Sequence, residues 1–416
     1  MRYETYSRTN PAFLSYSGVD VPWHYVVKLL PLVVLSALVT SAADLALVGG
    51  RIYAAPDVSP LTNGTVLLHD GRITSVGGGA AKWPGGGQRI SCAGLVIVAG
   101  FWNCHVHFSE PKWENAAGLP AAQLATQMRD MLTRWGFTSV FDTGSLLANT
   151  KAIARRMEAG EFPGPMILSA GTPFTSKDAT PYYLQPLKLP ELETPEQATA
   201  LVRARLDEGA DAIKIFQGAW VSPEKVVSMP VELVKAVAAV AHARGKLLLA
   251  HPSDTAGLSS AIEGGVDVLT HVVESPGDVA PFMVAEMRKR HMAVIPTLKL
   301  FGHNGNVDQL LAQLRAYSEA GIPILFGTDV GFVSDYDPAL EYRLMDRAGL
   351  NFPEILAALT TGPAGRYGFG KRKGRIAPGM DADLVVLGGD PAEDIAAFTD
   401  VRYVIRNGTV VYTQPH

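Results

Sequence analysis

Cysteine is nearly absent from this chain: Cys92 and Cys104 are the only two in 416 residues. A disulfide-stapled fold is excluded, since at most one bridge could form, and a zinc cluster built on thiolates has too few ligands. Charge is also sparse, at 18% of residues with a formal net charge of −4 and no long basic run. That leaves no electrostatic footprint for a phosphate backbone, so nucleic acid is not an expected partner. No G-x-G-x-x-G turn follows an early strand, which removes the usual mark of an open dinucleotide-binding sheet. Internal repeats are missing, and low complexity is confined to the glycine-rich connection "GGGAAKWPGGG" at 77–87. With 47% hydrophobic residues, 41 Gly and 28 Pro, the composition is that of an ordinary globular protein with one large domain, or a large and a small one.

Long apolar runs are missing too. The longest, "LLPLVVLSALV" (29–39), is shorter than the roughly 20 residues a spanning helix needs. Lys28 precedes it, and small residues at Ser41 and Ala43 lead to Asp44. This order reads as a secretory signal over 1–43 with cleavage near Ala43–Asp44, and predicts a periplasmic or secreted protein with no stable membrane span after cleavage. N-terminal sequencing of exported material checks that expectation. A homo-oligomer is compatible with the composition.

From 44 to 100 the chain reads as short β runs, "LALVGGRIY" (45–53), "GTVLLHDGRITSVG" (64–77) and "RISCAGLVIVAG" (89–100), with a tight hairpin at "HDGR" (69–72). From 101 strands alternate with helices, as a parallel sheet with crossover helices requires. Strands are expected at 101–107, 138–142, 166–170, 212–216, 247–251, 266–271, 293–297 and 324–328, with helices such as 195–209 and 230–245 between them. Eight such units point to a (β/α)8 TIM-type barrel over 101–373. The tail returns to β runs at 382–389 and 401–413, with "NG" at a hairpin turn. The β runs of 44–100 and 374–416 are expected to form one small β-sandwich domain built from both ends of the chain.

The chemistry-bearing residues fall at the C-terminal ends of these strands, where barrel enzymes place their sites. The first strand carries His105 and His107, the fourth Lys214, the fifth ends on His251, the sixth on His271 and the eighth on Asp329. One histidine at a strand end is ordinary, and so are a lysine reaching water from an edge and an aspartate capping a helix. Six together form a ligand set of imidazole and carboxylate that suits zinc or a similar metal and is large enough for two ions. Cys104 alternates with the histidines and is expected to face away from them as a buried free thiol.

The ordered pattern H-x-H…K…H…H…D resembles the amidohydrolase superfamily of metal-dependent hydrolases. "GRIAPGMDADLVVL" (374–387) and "LTTGPAGRYGF" (359–369) are similar to its return strand and last helix. The strands "DAIKIF" and "LLLAH" resemble the branch of Xaa-Pro dipeptidases and imidazolonepropionases. Where the family commonly has Pro-Gly and an aspartate ahead of H-x-H, this chain has Ala99-Gly100 and Asn103. The resemblance implies that His105, His107 and Asp329 hold one divalent ion, expected to be Zn2+, and His251 and His271 a second. A carboxylated Lys214 and a hydroxide would bridge them, with Asp329 as the proton shuttle. The implied activity is hydrolysis of an amide bond in a small amino-acid-derived substrate, a dipeptide or N-acyl amino acid. The alternatives are a cyclic amide or lactone hydrolase on the same centre, and a non-catalytic extracytoplasmic binding protein. Substrate contacts are expected from long loops carrying Tyr182, Tyr183, Lys177 and Lys188, from Lys112 and Trp113, and from Lys299 and His303.

Overall fold

The computed structural model describes residues 45–78, 87–274, 279–302 and 307–415. The expected signal segment 1–43 and His303 lie outside the described residues.

Strands from the two ends of the chain pair into one eight-stranded sheet. Its order is Thr409–Thr413, Val401–Arg406, Leu384–Leu387, Val96–Ala99, Leu45–Ile52, Leu61–His69 and Arg72–Gly78, with Gln88–Ser91 also beside Leu45–Ile52. The ends meet where Val96–Ala99 runs antiparallel to Leu384–Leu387. Both expected hairpins close through two residues of positive φ, Asp70 (47°) and Gly71 (72°), then Asn407 (47°) and Gly408 (75°). That is the turn whose twist matches paired strands, and Asp-Gly and Asn-Gly adopt it at least cost. Side chains alternate between two cores. Ile97, Ala99, Leu384 and Val386 join Leu45, Leu47 and Val66 on one face. Val96, Val98, Val385 and Leu387 turn the other way, into the core shared with Phe101, Phe137 and Phe326.

Between these ends lies the α/β part. Phe101–Val106, Phe137–Asp142 and Met166–Ser169 form one parallel sheet, and Ile213–Phe216, Leu248–His251, Val268–Thr270 and Ala293–Ile295 a second. Each strand lies within two residues of the sequence expectation. All are apolar along most of their length because helices cover them, as parallel sheets require. Pro195–Asp207 starts where the Thr194 side chain accepts the Gln197 N–H, with proline in the first turn. Val231–Ala243 buries Leu233, Val234, Val237, Ala238, Val240 and Ala241 on one side. Each buried leucine or valine of that stripe is worth about 1.5–3 kcal/mol against exposure.

The eighth unit differs from expectation. Residues 324–328 form no continuous strand; single parallel bridges join Ile324 to Val294 and Val330 to Val106. The cause is local. Asp329 sits at φ 59°, outside the extended region, and a Cβ on Gly327 would lie 2.9 Å from the Cβ of His105. The backbone still pairs, with Cys104 N donating to Phe326 O (2.7 Å) and Asp329 N to His105 O (2.9 Å).

Alternation also fails in the first strand, whose register shifts between Asn103 and Val106. Cys104 consequently packs with Trp102, Leu249, Ile295 and Leu325, an interior cluster lined by strands that also carry the site residues. The simple alternation that would set it apart from the histidines does not hold. Cys92 and Cys104 are both buried free thiols. Among the described residues no helix is long and apolar enough to cross a membrane.

Candidate metal centre

The four strand-end histidines are neighbours in space. Ring centroids lie 5.1 Å apart for His107 and His105, 4.7 Å for His105 and His271, and 4.6 Å for His271 and His251. Asp329 enters from the eighth segment, its Oδ1 at 3.2 Å from His105 Nε2 and 2.9 Å from His107 Nε2. Lys214 is buried beside them, and its charge acts on both His105 and His271. The structure thus brings together all six residues of the ordered pattern.

Two of the histidines are held from behind. His107 Nδ1 lies 3.1 Å from Gly144 O, leaving Nε2 for the site. The Gly144 turn is built on Asp142, whose carboxylate accepts from Gly144 N, Ser145 Oγ, Thr150 Oγ1 and Ser169 Oγ. His271 Nδ1 contacts Thr297 Oγ1. Asn103 does not reach the centre; it ties the first strand to the eighth segment, donating to Thr328 Oγ1 (2.7 Å) and accepting from Thr328 N (3.2 Å). Gly331, at φ 97°, passes so close that a Cβ would lie 1.9 Å from His107 O. His271 (92°), Thr297 (46°) and Asp329 (59°) have positive φ without being glycine. Such strain costs about 1–3 kcal/mol per residue and persists where surrounding structure enforces it.

The electrostatics favour lone pairs over protons. Burial first, then the nearest histidine (His271 for His105, His251 for His271) and Lys214, hold both well below the usual imidazole range. Burial brings Lys214 down to about 7, against a smaller opposing effect of Asp329. Neutral imidazole is the ligand form, and neutral amine the nucleophilic one.

The side chains fit a cation. His105 Nδ1, His251 Nε2 and Asp329 Oδ1 are buried with no hydrogen-bond partner. The carboxylate oxygens nearby are within ion-pair distance of the ring nitrogens, yet none stands where a ring N–H would point. Direction decides here: these are lone pairs converging, not donors meeting acceptors. Buried polar atoms left in that state are expensive unless a cation sits among them. One ligand atom each from His105, His107 and Asp329 falls within 4.8 Å of the others.

Residues 96–411 match the Amidohydrolase family. The chain belongs to the amidohydrolase family. It is a hydrolytic enzyme acting on amide bonds. It is 24% identical to ochratoxinase of Aspergillus niger, over 90% of this chain and 87% of that one. Its fold matches a putative prolidase from Bifidobacterium longum at TM-score 0.76 and 26% identity, over 89% and 95% of the two chains. It also matches a Xaa-Pro dipeptidase with methionine bound in the active site, at TM-score 0.75 and 22% identity, over 89% and 100%.

The substrate candidates fare unevenly. The Tyr183 hydroxyl is enclosed although its ring edge is exposed, and burial, Glu274 and Asp329 all raise its pKa. Its ring lies 5.8 Å from Phe332 and 5.6 Å from Tyr182, which is itself exposed. The expected cations are engaged elsewhere: Lys112 with Glu110 and Tyr336, Lys177 with Glu193, and Lys299 with Asp335 and the carbonyl of Asp337. Trp113 is fully buried, and Lys188 is exposed. Asp142 and Glu274 carry no sequence signal of their own, since a carboxylate near a strand end usually caps a turn or meets water.

Proposed function

We propose that this amidohydrolase cleaves the amide bond of a small amino-acid-derived substrate, a dipeptide or an N-acyl amino acid, at a centre of two divalent ions, zinc by ligand type. The observation that carries the reading is that Asp329 Oδ1 and His251 Nε2 lie buried without a hydrogen-bond partner inside the four-histidine cluster. His105, His107 and Asp329 would hold one ion, and His251 and His271 the other. Such ions, when bound, supply Lewis acidity and lower the pKa of water from about 15.7 to about 7.

The chain's own residues do the rest. Burial lowers Lys214 to about 7, so a large share of it is neutral amine near pH 7 and its lone pair adds to carbon dioxide. The carbamate that forms releases one proton and offers two anionic oxygens between the ligand groups. Asp329 takes a proton from the attacking water and returns it to the departing amine nitrogen. Tyr183 stays protonated at working pH, because burial, Glu274 and Asp329 all raise its pKa, and it is a donor available to the substrate.

The architecture we infer around this centre is a closed (β/α)8 barrel over 101–373, beside a β domain of 44–100 and 374–416. Support comes from the bridges Phe174–Ile215, Val294–Ile324 and Val106–Val330, which link the two parallel sheets and the eighth segment. Names of relatives point the same way, since prolidases and Xaa-Pro dipeptidases are dipeptide hydrolases. A panel of dipeptides and N-acyl amino acids run against lactones, hydantoins and imidazolone-like rings tests the substrate class. Acyclic amides should be cleaved well above the rings, and the reverse order would hand the site to cyclic substrates.

A further inference from the structure

Glu274 lies four residues beyond Thr270, the end of the sixth parallel strand, and three beyond His271. Its placement is enforced by its neighbours. Trp220 Nε1 donates to its Oε2 at 2.9 Å, and its backbone N–H donates to Ser253 O at 3.0 Å. Trp220 belongs to the hairpin of Gly218–Ser222 and Lys225–Ser228 after the fourth parallel strand, and Ser253 follows the fifth. Trp220 thus holds the carboxylate, while Ser253, just past the strand that ends on His251, holds the backbone behind it.

Its other oxygen, Oε1, lies 2.7 Å from His251 Nε2, although that nitrogen has no hydrogen-bond partner. A simple His–Glu ion pair would aim the ring N–H at the oxygen. The relation found instead is the one Asp329 has to His105 and His107: imidazole nitrogen and carboxylate oxygen close together but off the N–H axis. Both carboxylates act electrostatically on Tyr183, so all three lie near one another. Charge balance agrees. Two divalent ions bring four positive charges, of which Asp329, a carboxylated Lys214 and a bridging hydroxide would offset three, leaving one for Glu274.

We propose that Glu274 is a further metal-facing carboxylate of the centre, serving the ion of His251 and His271 as Asp329 serves the ion of His105 and His107. The inference rests on the two-ion reading above. It places one carboxylate on each side and gives Trp220 the task of aiming the second.

The test is zinc binding, read independently of turnover. Zinc-loaded wild type, Glu274→Gln and Trp220→Phe are titrated with a zinc chelator while released metal is counted, and cobalt-substituted samples are compared by absorption. Glu274→Gln should bind one of its two ions about 10–100-fold more weakly, leave the other unchanged, and alter the cobalt spectrum. Trp220→Phe should weaken the same ion by less, and it carries the comparison if Glu274→Gln does not fold. Two ions held as in wild type, or both loosened in parallel, would overturn the assignment while leaving the two-ion centre standing. A wild-type chain that binds no zinc would sink the centre and this inference together.

Discussion

Asp329 is assigned two jobs that substitution separates. As a ligand it shares the work with His105 and His107; as the proton carrier it has no substitute. Asp329→Asn should therefore cost about 10²–10⁴-fold in kcat, the usual worth of a general acid–base step, while most bound metal stays. Metal loss that fully parallels the loss of rate would assign Asp329 to ligation alone. Lys214 gives a second residue-scale test. Lys214→Ala should lose most activity, and short carboxylates that bridge the two ions should restore part of it. An active wild type whose intact mass shows an unmodified lysine would contradict the carbamate. Both stood out in the sequence as ligand types, Lys214 within an apolar strand and Asp329 just past an apolar run. Asn103 was legible only as polar. Its bond to Thr328 depends on the eighth segment lying beside the first strand, which spacing does not reveal.

At the scale of elements, the turn after the seventh strand depends on a carboxylate two elements away. The short helix Leu298–Phe301 begins right after Thr297, which contacts His271. Glu341, in Ala339–Arg347, is fully buried and accepts the Lys299 N–H. Burial raises its carboxyl from an ordinary 4.5 to about 8. Between those values the folded protein binds more protons than the unfolded chain, so stability falls as pH rises from about 4.5 to about 8. Glu341→Gln mimics the neutral acid and should remove that slope. The Tm of wild type relative to the variant should drop by about 2–5 °C between pH 5 and pH 8. A pH-independent difference would mean that Glu341 is ionised in the fold. No sequence signal marks Glu341, because a helical glutamate usually faces water. The parallel strands and hairpin turns were readable for the opposite reason. Apolar runs of four to six residues, Asp70-Gly71 and Asn407-Gly408 are determined locally. The eighth segment was overread, since its bend at Asp329 follows from the site and not from propensity.

For the whole molecule, the two ends of the chain form one sheet whose faces serve two cores, and the polar ends of the parallel strands gather at one centre. Both features were expected from patterns in the sequence, although the terminal strands were expected as a β-sandwich and form a single sheet. Substrate loops were not legible, because Lys112, Lys177 and Lys299, expected to recognise a carboxylate, pair with neighbouring carboxylates instead. The central claim is that amide hydrolysis here depends on a centre holding two ions. The most direct measurement is kcat/KM for a dipeptide and an N-acyl amino acid on purified protein, as isolated, after metal stripping and after zinc is returned, with metal counted at each stage. The account predicts about two ions per chain, activity lost as they leave, and activity restored with them. Unchanged hydrolysis by the stripped protein, or full activity with no metal counted, would contradict it.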